Sequence, residues 1–255
     1  MIHLDFVGEK SEIGVITIDR SDVRNAIDKE TVTAFHKALG AIEKREDVRA
    51  LIVTGAGGKA FAAGADIAEL RDRRRADALE GINGALFQRV EKFPRPTVAA
   101  IVGYAHGGGC ELALACDFRI AGESSKFGQP EVGLGIMAGA GATRRLPALV
   151  GLKAARRLLF SGEIVDARKA LEIGLADRVV PDADVMKASI GWLEPILVNS
   201  AEALRWTKKS LVAWSHGADE ETLARMDREA QAVLFEHLEK FARMDAFLAK
   251  RAKPS

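Results

Sequence analysis

Very little cysteine and almost no net charge mark this 255-residue chain. Its two cysteines, Cys110 and Cys116, lie close together in one apolar segment and supply neither a disulfide framework nor a metal-ligand or redox spacing. They read as small core residues of a protein kept in a reducing compartment. The 37 basic and 36 acidic residues leave a net charge of +1, which removes the long-range field that draws basic proteins to nucleic acid or anionic membranes. Any anion must therefore be met locally. No run approaches the roughly 20 apolar residues of a membrane span, and the opening Met-Ile-His-Leu-Asp-Phe has no basic segment followed by an apolar one. The expected location is the cytoplasm, with no membrane and no nucleic acid as partner. A nucleotide-binding P-loop is also lacking, because Gly58-Lys59 is followed by Ala60 and Val53 stands where the motif needs its first glycine.

What is present is apolar material, 48% of the residues, with 29% charged, enough for one large domain or a domain with an appendage. Residues 12–19, 49–54 and 97–102 read as strands. Between them, Asp28 is placed to cap a helix that carries Val32, Phe35, Leu39 and Ile42 on one face, and Gly81 to Lys92 supports another with Leu86, Val90 and Phe93. The recurring strand-to-helix units give an α/β body. From about residue 143 strand signals fade, and helices are expected at 151–160, 166–173, 184–197, 200–213 and 219–250, the last broken once. The division is 1–197 as the α/β body and 198–255 as a helical region whose apolar stripes suit subunit contacts.

Glu111 stands out because it interrupts the apolar run Gly107 to Cys116. A carboxylate there is costly to bury unless it is paired, hydrogen-bonded or protonated, so packing alone does not explain it. Two glycine-rich loops flank the problem. One, from Gly55 to Ile67, follows a strand and ends where a helix can start near Asp66; the other, from Val102 to Gly109, leads into the helix bearing Glu111. Both present backbone N–H groups near a helix start, where anions and developing oxyanions are stabilised. Glu131 sits on a loop marked by Pro130, Gly133 and Gly135. Two carboxylates near each other push their pKa values apart and can do opposite proton-transfer jobs. Two carboxylates beside an oxyanion hole suit proton chemistry next to a carbonyl, without identifying the carbonyl.

Three stretches carry a resemblance: Phe61-Ala-Ala-Gly-Ala-Asp-Ile, the run from Gly103 to Asp117, and Phe127-Gly-Gln-Pro-Glu-Val-Gly-Leu-Gly. Together, in order, and with Arg20 and Asn25-Ala26 before them, they resemble the enoyl-CoA hydratase (crotonase) family. The resemblance implies a crotonase-like spiral of ββα units with a C-terminal helical trimerisation region, a homotrimer or homohexamer, and an acyl-CoA thioester as substrate. It implies that the N–H groups of Ala65 and Gly108 hold the thioester oxygen and that Glu111 and Glu131 are the base and acid of a hydratase, a pair that many relatives lack. Ala65, Asp66, Ile67, Ala68, Gly108 and Gly139 are then the expected substrate contacts. No metal or redox cofactor is implied, coenzyme A being part of the substrate. The alternatives are an enoyl-CoA isomerase on the same fold and a non-catalytic RNA-binding member using the basic residues at 71–75.

The chain departs from the family pattern at Ser21, Ala138 and Ala142, where the family has proline, proline and glycine. Between Phe235 and Phe247 the usual turn is shortened by about one helical turn, ~5.4 Å, which weakens the expected contact of Lys250 with the CoA nucleotide. His106 reads as a loop side chain that shapes the acyl pocket. Arg71-Asp-Arg-Arg-Arg reads as a solvated face, because Asp72, Asp77 and Glu80 interleave with it. Trp192, Trp206 and Trp214 are expected to pack within the helical region.

Overall fold

Apolar runs that offer both faces to a core become the inner strands of a parallel sheet. In the computed structural model, which describes residues 1–251, the chain divides into two compact units, Met1–Ile196 and the residues from Leu197 on. The first unit opens with an antiparallel pair, β1 (Ile2–Val7) and β2 (Ile13–Ile18), followed by α1 (Lys29–Glu43). Three turns of strand, strand, helix come next. The first is β3 (Ala50–Gly55) and β4 (Ala60–Ala62) with the short helices α2 (Ile67–Asp72), α3 (Arg75–Glu80) and α4 (Ile82–Glu91). The second is β5 (Thr97–Ile101), β6 (Tyr104–His106) and α5 (Gly108–Ala115). The third is β7 (Phe118–Gly122), β8 (Lys126–Gly128) and α6 (Ala142–Ser161), reached through a 3-10 helix at Pro130–Leu134. After it come β9 (Ile164–Asp166), α7 (Ala167–Glu172), β10 (Arg178–Val180) and α8 (Val185–Leu197).

In each turn the first strand enters a six-stranded sheet, ordered β1-β2-β3-β5-β7-β10, and the second enters a four-stranded sheet, ordered β4-β6-β8-β9. That alternation is the ββα spiral. The strands β3, β5 and β7 are parallel neighbours, and every residue of β5 is buried. The start of the spiral is fixed by Asn25, fully buried, whose Nδ2 donates to the carbonyls of Ala56 and Ala60 while its Oδ1 accepts from the Arg20 N–H. It thereby ties the β3–β4 connection to the entry of α1. At α1 the Asp28 side chain accepts from the Thr31 N–H at 2.7 Å, and Val32, Phe35, Leu39 and Ile42 are buried, as the periodicity predicts.

The second unit consists of α9 (Ala201–Ser215), α10 (Glu220–Glu236) and α11 (Leu238–Arg251). Only His237 separates the last two, so the expected break is a single residue in extended conformation. Trp214 is 62% exposed and does not pack within the chain, against expectation; Trp206 is half-buried, and Trp192 packs edge-on against Phe118 at 5.7 Å. Among the described residues no helix is long and apolar enough to cross a membrane.

Several strands lie where none is expected. The structure places β9 and β10 in the stretch read as purely helical, and three-residue strands such as these are too short to show a period. The span Ala142–Ser161 is two helices meeting at Gly151, which is non-helical at φ 74°; the second is the helix expected at 151–160, and the first, before the kink, is not expected.

The site-bearing helix α5 packs directly on β4. A Cβ built on Gly109 would lie 1.9 Å from the Ala62 carbonyl oxygen, so only glycine admits this approach. Replacement Gly109→Ala must push α5 off the sheet and should cost at least ~1–3 kcal/mol. Urea denaturation of the variant is expected to show the loss as a lower midpoint; an unchanged midpoint would mean that α5 is not seated this way.

Candidate active site

Backbone geometry builds the first half of the site. Gly107 precedes α5 at φ 52°, ψ −126°, a positive-φ turn that glycine tolerates and from which the helix starts. Among the described residues, the N–H groups of Ala65, at the end of the first glycine loop, and of Gly108, at the first position of α5, have no acceptor. They are close neighbours: a Cβ on Gly108 would fall 3.6 Å from the Ala65 nitrogen. Two free donors converging at a helix start form a ready oxyanion site.

The two glutamates supply the second half. Glu111, 3% exposed, sits one turn into α5, and its Oε1 accepts from the N–H groups of Ala140 at 2.7 Å and Ala142 at 3.0 Å. Glu131 is not on an irregular loop; it lies on the 3-10 helix Pro130–Leu134 and is buried, which overturns its reading as a loop residue. A Cβ on Gly107 would stand 3.1 Å from Glu131 Oε1, so this carboxyl lies against the turn that starts α5. The buried Gln129, with its amide nitrogen toward the carboxyl, donates to Glu131 Oε1 at 3.0 Å and Oε2 at 3.2 Å. Both glutamates, Ala65, Gly108, Gly139 and Ala140 line one cleft of about 770 Å³ whose apolar wall includes Ile67, Leu70, Ile82 and Met137.

A family model described as enoyl-CoA hydratase/isomerase matches residues 8–254. The chain belongs to that family. A short-chain-enoyl-CoA hydratase from Clostridium acetobutylicum is 37% identical over 245 residues, covering 95% of this chain and 94% of the relative. A crotonyl-CoA hydratase from Syntrophomonas wolfei is 38% identical over 256 residues, covering 98% and 97%. The crystal structure of an enoyl-CoA hydratase from Bacillus anthracis superposes with a TM-score of 0.91 at 33% identity, over 98% of this chain and 96% of that one. The fold is the crotonase fold of the family.

Within this family member the two carboxyls differ in environment. Burial raises the proton affinity of Glu111, and the two backbone N–H bonds with the nearby Arg145 charge oppose the rise. For Glu131 burial is again the largest cause and the Glu111 charge adds to it, pushing its pKa up to about 7. The donors to Glu111 are themselves held. Arg145 Nη1 donates to the Ala140 carbonyl at 2.9 Å, its Nη2 meets Glu91 Oε2 at 2.9 Å, and Arg144 adds a two-point contact to the same buried Glu91. This clamp joins α4 to the start of α6.

The other residues singled out in the sequence have the following surroundings. Asp66 and Ala68 lie outside the cleft lining; Asp66 Oδ1 caps α2 by accepting from the Ala68 and Glu69 N–H groups. His106 does not shape the cleft. It packs against Tyr104 at 5.0 Å, and burial together with the charges of Lys126 and Arg24 holds its pKa below the usual value. The Arg71–Arg75 run is not simply a solvated face, since Arg73, Arg74 and Arg75 line the cleft. Lys250 lies on α11 in the C-terminal unit. Cys110 is buried with its thiol pushed up to about 12, which leaves it an inert core residue. Sequence reasoning missed Ala140 and Ala142, because a backbone donor leaves no mark on side-chain identity. It missed Glu91 and Arg145 because each reads as an ordinary surface charge on its own helix.

The raised pKa of Glu131 has a thermodynamic signature. Between its ordinary value of 4.5 and about 7 the folded state keeps a proton that the unfolded chain has released, so this group lowers stability as pH rises through that window. Glu131→Gln has no proton to lose. Relative to wild type its unfolding free energy should therefore rise by up to ~3 kcal/mol from about pH 4.5 to about pH 8. A difference in denaturant-derived free energy that stays flat across the range would refute the assignment.

Proposed function

We propose that the protein adds water across the double bond of a 2-enoyl-CoA thioester to give a 3-hydroxyacyl-CoA. The observation that carries this reading is one cleft holding two free backbone donors and two buried carboxyls of unequal environment. The N–H groups of Ala65 and Gly108 take the thioester oxygen and draw electron density from C3. Glu111, its ionised form supported by Ala140 and Ala142, removes a proton from the water that attacks C3. Glu131, protonated near neutral pH, delivers a proton to C2. As the double bond is consumed, negative charge gathers on the thioester oxygen, where the two fixed donors gain most. Gly139 borders the water position. The mechanism needs no metal or redox cofactor, and coenzyme A enters only with the substrate. The presence of both carboxyls supports hydration over double-bond isomerisation, which needs no second acid for water addition.

The test is conversion of 2-enoyl-CoA, followed by loss of the conjugated absorbance, beside 3-enoyl-CoA as the isomerase substrate. Replacing either Glu111 or Glu131 by Gln keeps shape and removes proton transfer, with an expected fall of ~10²–10⁴-fold in kcat. Thioester binding should persist in both variants. Turnover of the 3-enoyl thioester alone, or a Glu131→Gln variant retaining more than about a tenth of wild-type hydration, would reject the scheme.

The same proposal extends to assembly. The second unit exposes Phe235, Leu238, Phe241, Met244, Phe247 and Leu248, more apolar side chain than a lone helical unit keeps in water. We assign this surface to contacts between copies of the chain in a trimer-based oligomer. Light scattering should report a trimer or hexamer at micromolar concentration, and a monomer there would exclude it.

A further inference from the structure

The arginines at 73–75 are the feature of the cleft that hydration of a plain alkenoyl chain does not use. We propose that they form an anion subsite for a carboxylate at the far end of the acyl chain, so that the preferred substrates are ω-carboxy-2-enoyl thioesters. This rests on the thioester reading given above and narrows it to a substrate class.

Position is the first argument. The helix α2 starts two residues after Ala65, whose N–H receives the carbonyl, and runs six residues, ~9 Å, to the turn that carries Arg73. Along it Ile67 and Leu70 present an apolar wall, faced by Ile82. A chain that leaves the oxyanion hole along this wall meets apolar surface first and guanidinium groups last.

Unmet charge is the second argument. Arg73 pairs with Glu69 at 2.9 Å through one terminal nitrogen, but its Nε is buried with no partner. Among the described residues the Arg74 guanidinium donates only to the carbonyls of Arg71 and Arg73, both at 3.3 Å. Arg75 has no side-chain hydrogen bond or ion pair among the described residues. Asp77, the one acid in this part of the lining, already accepts from the Arg74 backbone N–H and from Lys29. Three arginines thus line the cleft, with Glu69 paired to Arg73 and a committed Asp77 as the acids beside them. An alkyl terminus pressed against them would strip water from cations and return nothing. A carboxylate answers both the charge and the planar donor geometry of arginine.

An anionic oxygen on the substrate can also come from the phosphates of coenzyme A, and the experiment separates the two sources. Equilibrium binding to the full chain is measured by calorimetry with saturated, unreactive thioesters: glutaryl against pentanoyl and adipyl against hexanoyl, each on coenzyme A and on pantetheine, which lacks the nucleotide phosphates. At least one ω-carboxyacyl thioester should bind roughly tenfold or more tightly than its alkyl counterpart, on both carriers. Arg75→Gln, at an exposed position, should erode that ratio, as should Arg73→Gln, with circular dichroism confirming that both remain folded.

Equal or weaker binding of every ω-carboxyacyl thioester overturns the proposal, as does a preference that survives in both variants. If instead Arg75→Gln weakens both acyl classes on coenzyme A and neither on pantetheine, the arginines serve the phosphates and the carboxylate assignment is wrong. Because these ligands cannot be hydrated, the outcome is independent of turnover. Failure to hydrate any enoyl thioester would strike the hydratase reading and leave the binding preference to stand or fall by itself.

Discussion

A carboxylate can be buried in a protein core only where donors meet it, and Glu111, 3% exposed, imposes that demand within the first unit. Its answer is the pair of N–H groups from Ala140 and Ala142, contributed by a segment 29 to 31 residues further along the chain. That segment can serve only if it is held still. The Arg145 contact to the Ala140 carbonyl and the Glu91 clamp do so, and they connect the start of α6 to α4. The helix bearing Glu111 must in turn lie close on β4, which the missing side chain of Gly109 permits. Three turns of the spiral are therefore linked through one buried charge. The first supplies Ala65, the second Gly108 and Glu111, and the third the donors that make Glu111 tolerable.

The two carboxyls have unequal surroundings. Both are raised by burial, yet Glu111 receives two main-chain donors and the field of Arg145, whereas Glu131 receives the field of Glu111. Protons leave the two as a coupled pair rather than from independent sites. Gln129 suits either state of its neighbour, since an amide donates to a carboxylate through nitrogen and accepts from a carboxylic acid through oxygen. Under the proposed reaction, water addition needs a base and an acid at once, and two carboxyls of unequal environment suit that need.

Parts of this were legible in the residues. Glu111 was visible as a charge in an apolar run, and the glycine loops as backbone built for close approach; the residues by themselves gave an α/β body, and the ββα spiral came only from the resemblance to the family. Long apolar strands such as β3 and β5 announce themselves by composition. The strands β9 and β10 do not, because three residues cannot display a period and their pairing is decided by β8 and β7, which lie far away in sequence. The environment of Glu131 was illegible for a similar reason: proline and glycine mark a turn, but only the surrounding elements determine whether the turn faces water. The arginines at 73–75 were misjudged on the same ground. A charge run interleaved with acids looks solvated in one dimension, and which members turn toward a cleft depends on where α2 ends and α3 begins.

The C-terminal helices pose the remaining constraint. Along α11 the residues Phe241, Met244 and Leu248 fall at spacings of three and four and are each about half or more exposed, the pattern of a stripe made to face another apolar surface. The opposite side carries charge, with Arg243 paired to Glu239 and donating to the Val198 carbonyl, which anchors α11 to the entry of α9. With only His237 between α10 and α11, the direction of the stripe is set by one backbone conformation and by that anchor. The one-residue connection therefore fixes the direction of the stripe tightly. Lys250 lies six residues beyond Met244 on the same helix, so whatever surface covers the stripe also decides where that ammonium group is presented.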